Sequence, residues 1–182
     1  GARGERTALH GSQVGVATVL VAIAWRRVLE RIDAGAEINV PGEEDAERAV
    51  RGAFERLDPS GKMGQECWDA YSKKLARLRS PGAVDALRAA LTADWTEHRG
   101  RLEGLLERPE RIAGALAEAG APLRFSALDR PAGEDDVRWA LLNCHLMRDR
   151  FTVADLSFLI GAWTAEDVEA TLAEAEALGV GA

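Results

Sequence analysis

Histidine 10 is followed by Gly11 and, three positions on, by Val14, at the entry to an apolar run that ends at Trp25-Arg26-Arg27. An imidazole carried at the mouth of a packed helix is held in one orientation, as a metal ligand must be, and a following glycine lets a backbone or substrate come close. One histidine is not a metal site, and a structural or exposed role is the plainer reading of His10 taken alone. The second grouping able to do chemistry is Arg148-Asp149-Arg150. Forked guanidinium donors match the oxygens of a phosphate, but an acid between two arginines reads more strongly as a structural ion-pair network at a helix junction. Arg148 and Arg150 are therefore not assigned to a site.

The remaining polar candidates weaken on inspection. His98 falls between Trp95 and Leu102 on an apolar stripe, which predicts a packed ring or one facing a cleft. Cys144 and His145 are adjacent, and helix neighbours point about 100° apart, so joint ligation is awkward and a Cys-His catalytic pair improbable. Asp135-Asp136 falls in the first turn of a predicted helix, which attracts acids in any case. The chain has no Gly-x-Ser-x-Gly elbow and no His-Glu-x-x-His. No residue is singled out as catalytic.

The elements that position these residues read as helices almost throughout. Ala46, Ala49, Val50, Ala53, Phe54 and Leu57 recur at helical spacing with Glu47, Arg48, Arg51 and Glu55 opposite, and Asp58-Pro59-Ser60-Gly61 ends that helix. Ser80-Pro81 reads as N-cap and first-turn proline of a helix running to Glu107 with Val84, Leu87, Leu91, Trp95, Leu102 and Leu105 on one stripe. Arg108-Pro109 starts another, ending near Gly120. Apolar residues surround a helix predicted over Glu134 to Arg148. Thr152-Val153-Ala154-Asp155 and Thr164-Ala165-Glu166-Asp167 each place a hydroxyl three residues before an acid, a variant of the capping box. The five acids from Glu166 to Glu176 read as a solvated face. The segment Gly35 to Pro41 is open to a short extended stretch. The prediction is an all-α single domain of roughly seven or eight helices in antiparallel or orthogonal packing.

Composition narrows the function classes. The 182 residues, 47% hydrophobic, suffice for one substantial core. Against 30 acids stand 23 Lys and Arg, a net charge of −7 with both signs interleaved, which argues against a nucleic-acid surface. The apolar run Val14 to Ala24 is about half of the roughly 20 residues a membrane span needs, so it reads as a core helix. No targeting segment is visible, and Cys67 and Cys144 lack metal-type spacing, which suits a reducing cytoplasm.

The segment Ala8-Leu9-His10-Gly11-Ser12-Gln13-Val14-Gly15-Val16-Ala17-Thr18-Val19, together with Arg148-Asp149-Arg150-Phe151-Thr152-Val153-Ala154-Asp155-Leu156, resembles the C-terminal helical domain of the sn-glycerol-1-phosphate dehydrogenase family, within the iron-containing alcohol dehydrogenase and dehydroquinate synthase group. The resemblance implies that His10 is the last of three protein ligands to a divalent metal, Zn²⁺ in many members and Fe²⁺ or Ni²⁺ in others. It also implies an NAD- or NADP-linked interconversion of dihydroxyacetone phosphate and sn-glycerol 1-phosphate or a related polyol phosphate. The chain has no Gly-rich phosphate loop and no βα alternation, so the dinucleotide-binding half is expected upstream, outside this chain, which alone would not turn over. A homo-oligomer is compatible with this reading. Ser12 stands where relatives more often carry Glu, which weighs against the rival cyclase of the dehydroquinate synthase type. The other rival is a non-catalytic helical interaction module in which His10 binds nothing.

Overall fold

The structure, a computed structural model, describes residues 10–181; the side chains of His10 and Ser12 lie outside that description. Among the described residues there are nine α-helices, two short 3₁₀ turns and no strand. The all-α class holds, and the count exceeds the expected seven or eight because the predicted Ser80 helix is two. These are α4 (Ala83–Leu91) and α5 (Trp95–Glu103), which pack on each other across a turn at Thr92-Ala93-Asp94. Ser80 and Pro81 lie in the turn before α4, whose N-cap is Gly82. The apolar stripe survives this break because Val84, Leu87, Leu91 and Trp95 still cover one surface formed by Val28, Ile32 and Leu156.

The first helix, α1 (His10–Asp33), is the axis of the molecule. Its Val16, Val19, Leu20 and Ile23 meet Ala113 of α6 (Pro109–Glu118), Ala175 of α9 (Ala165–Ala177), Leu128 and Val180. Two turns later Val28 and Ile32 meet Ile38 and the Leu156, Leu159 and Ile160 that belong to α8 (Val153–Leu159) and its C-cap. Apolar residues on several sides of one helix require partners on several sides. No helix of the described residues is long and apolar enough to cross a membrane.

A second pair, α2 (Glu43–Glu55) and α3 (Lys62–Leu78), packs Ala46, Val50 and Phe54 against Trp68, Tyr71 and Leu75. The loop between them is shaped by Asp58, whose carboxylate accepts from the Ser60 and Met63 amides at 3.0 and 2.8 Å. Gly61 (φ 76°) then takes a left-handed conformation that a side chain would strain. Phe54 meets Trp139 of α7 (Glu134–Asn143) edge to face at 5.4 Å, and Trp139 Nε1 donates to the Ala53 carbonyl at 3.1 Å. The helix predicted to run to Arg148 stops at Asn143 and continues as a 3₁₀ turn, Cys144–Leu146. Residues 36–42 form no strand, and Asn39 N–H donates to the Leu159 carbonyl at 2.7 Å.

Both expected capping boxes are present, at Thr152 with Asp155 and at Thr164 with Asp167. The acid-rich face of α9 needs a correction: Asp167 is buried, with Oδ1 3.5 Å from Arg27 and 3.4 Å from Arg31, and Glu174 is paired with Arg26. Basic residues on the polar side of α1 supply the countercharges, so part of this face is an interhelical seam.

Candidate functional site

His10 is the first residue of α1, and the helix that carries it is clamped farther along by α6, α8 and α9. The packed part of that helix begins at Val16, and the imidazole of His10 falls outside the described residues. A Cβ placed on Gly11 would meet nothing within 4 Å, so the space over that position is open among the described residues. No group of three His, Cys, Asp or Glu able to hold a metal occurs among them. A complete coordination shell at His10 would therefore draw on ligands beyond the described residues.

The other candidates disperse. Arg148, Asp149 and Arg150 are exposed; Asp149 is engaged by Arg77 of α3, whose guanidinium donates to its carbonyl and whose Nη1 lies 4.0 Å from its carboxylate. Asp135 and Asp136 face Arg138 and Arg56, at 3.7 and 3.1 Å. His98 is half-buried beside Trp25 and Trp95 in a surface groove. Cys144 is exposed as a residue, but its thiol donates to the Leu141 carbonyl at 3.2 Å and desolvation of the sulfur raises its pKa to about 11, which leaves little thiolate for nucleophilic attack.

Compared with protein-family models, curated proteins and solved structures, the chain matches none.

One polar cluster does assemble, and sequence reading had not brought its members together. Lys74 (2% exposed) donates from Nζ to Asp155 Oδ1 and to the His145 carbonyl, both at 2.5 Å, and lies 4.7 Å from the centre of the Tyr71 ring. Its three donor directions are filled by a carboxylate, a carbonyl and an aromatic face, which is how a buried ammonium is tolerated. Asp155 spends its other oxygen on the α8 cap, accepting from Thr152 N and Oγ1 at 2.8 Å each. The ring of His145 (5% exposed) stacks on Phe158 at 4.6 Å, and its Nδ1 is sealed without a hydrogen bond. Burial lowers the His145 pKa to about 4, with Lys74 lowering it further and Asp155 opposing, so the ring is neutral near pH 7. Burial likewise lifts Tyr71 to about 12 and keeps its hydroxyl protonated.

A signal for this cluster existed in the sequence. Lys74 sits three residues after Tyr71 and six after Trp68, on the stripe that continues to Leu75 and Leu78, so a lysine occupies a core position. A long cation there demands a buried acid, and Asp155 had been assigned only its local cap. The cluster as built is positional: it ties α3, the 144–146 turn and α8 together and leaves neither Lys74 nor Cys144 poised as a nucleophile.

Proposed function

We propose that this chain is the helical lobe of a metal-dependent, NAD(P)-linked dehydrogenase of the glycerol-1-phosphate dehydrogenase type, acting on dihydroxyacetone phosphate and sn-glycerol 1-phosphate or a related polyol phosphate. The reading is carried by one observation: the residue that the motif marks as ligand, His10, opens the longest helix of the described residues, and Gly11 and Val14 follow it on that same element. In this reading the lobe contributes a single imidazole to a Zn²⁺, Fe²⁺ or Ni²⁺ site. The companion ligands and the bulk of the NAD or NADP pocket belong to a dinucleotide-binding half, and the polyol phosphate lies between the two. Cys67 and Cys144 are both free thiols, which supports a reducing, cytoplasmic setting.

The test uses the protein together with its dinucleotide-binding half. Native protein is expected to carry a stoichiometric divalent metal and to consume NAD(P)H with dihydroxyacetone phosphate, and His10→Ala to lose both. Metal content unchanged by His10→Ala overturns the ligand assignment. Activity without net NAD(P)H consumption points instead to a cyclase.

A further inference from the structure

The dehydrogenase reading leaves a second feature unused. Beside the Lys74–Asp155 pair lies a cavity of about 360 Å³, a size ordinary for small-molecule sites. Its lining includes the rings of Tyr71, Phe158, Trp163 and His145 together with the small Ala46 and Ala49 of α2. Tyr71 is only 3% exposed, yet its hydroxyl makes no hydrogen bond to any described residue and is not among the sealed polar atoms. Tyr71 is one of the residues that line the cavity. Asn143, also in the lining, commits its Nδ2 to the Trp139 carbonyl at 2.8 Å, so its side-chain oxygen is the uncommitted atom.

The charges around this space decide what it accepts. Lys74, 4.7 Å from the centre of the Tyr71 ring, is not part of the lining and is already paired with Asp155. The formally charged member of the lining is Asp45, at the exposed rim, with Arg48 3.0 Å away. An anion would meet aromatic faces and an acid; a flat uncharged ring would meet stacking surfaces and a hydroxyl in need of a partner.

We propose that this cavity binds an uncharged planar molecule of one or two rings bearing an N–H or O–H group, stacked among the aromatic rings of the lining and hydrogen-bonded to Tyr71 Oη. The site is independent of the metal reading at His10 and stands or falls separately.

Indole is the probe and benzoate its charged counterpart, each titrated against the 182-residue chain and followed by saturation-transfer NMR. Tyr71→Phe removes only the hydroxyl, and Ala49→Phe, at an exposed position, fills the entrance without touching the core; thermal melts confirm that both variants fold. Indole is expected to bind saturably, roughly tenfold more weakly in Tyr71→Phe, as befits one lost hydrogen bond, and not at all in Ala49→Phe. Absence of saturable indole binding to the native chain overturns the proposal. So does equal binding to native chain and both variants, which marks adventitious contact, or benzoate binding as tightly as indole.

Discussion

Lys74 of α3 and Asp155 of α8 meet across 81 positions of sequence, Nζ to Oδ1 at 2.5 Å, with both side chains almost wholly buried. A buried ion pair is costly to desolvate and costlier to break, because the surviving charge has no water to turn to. Lys74→Met should therefore lower stability by about 3–5 kcal/mol in urea denaturation. Adding Asp155→Asn, which removes the stranded charge but keeps an acceptor for the Thr152 cap, should recover a large part of that loss. Additive single effects would show that the two groups are not coupled.

Protonation of His145 should link stability to acidity. Burial holds this ring at about 4 against 6.5 in an unfolded chain, so between those values the unfolded state takes up a proton that the folded state refuses. The stabilisation is complete above pH 6.5 and declines as pH falls toward 4, by a total on the order of 3 kcal/mol. Urea melts at pH 7 and pH 4.5 measure the decline. In His145→Phe, which preserves the stack on Phe158, the loss should be visibly smaller; an equal loss in both proteins would assign the acid sensitivity elsewhere.

Close approach of α2 and α3 is set at Gly64, where an added Cβ would lie 3.3 Å from both Cα and O of Arg51. Backbone atoms cannot swing aside as a side-chain end can. Gly64→Ala gains about 1 kcal/mol of helix propensity that this crowding offsets, leaving a small net change. Gly64→Val should cost about 1–3 kcal/mol by prying the pair apart. Chemical denaturation of the two variants side by side reads the difference, and a neutral valine would refute the packing argument.

At the start of α9, Thr164 Oγ1 accepts from Asp167 N at 3.2 Å, while Asp167 Oδ2 accepts from Thr164 N at 3.0 Å. Burial raises the Asp167 pKa, but the Thr164 hydrogen bonds and the charges of Arg31 and Arg27 outweigh it, and the net shift is downward. Thr164→Ala should cost about 1 kcal/mol, the usual worth of an N-cap. Asp167→Ala should cost somewhat more in the same thermal melts, because it also removes the carboxylate that faces the partly exposed Arg27 and Arg31. Its contribution is present above the ordinary carboxylate range and fades as pH falls through the lowered pKa.

Where interactions are local, the sequence was legible. Thr152 with Asp155, Thr164 with Asp167 and Pro109 at the first turn of α6 each join residues a few positions apart, and each was placed correctly. The Ser80 stretch reads as one helix because Leu91 and Trp95 keep the apolar period through the turn at Thr92-Ala93-Asp94, so the pattern continues while the backbone does not. Asp167 was assigned to a solvated face because its neighbours in sequence are acids, whereas its neighbours in space are arginines. The candidate site divides the same way: the helix beginning at His10 was readable from its period, and the company kept by Lys74 was not.

The all-α class, the caps and the identity of the first helix follow from the sequence by itself, since helical periodicity and capping depend on residues within one or two turns of each other. Tertiary structure alone decided that Lys74 finds Asp155, that His145 is neutral, and that Tyr71 joins the lining of a cavity with Phe158 and Trp163. Those outcomes depend on which helices pack together, and on how burial reprices a charge or a hydroxyl once water is gone, information that no short stretch of chain carries.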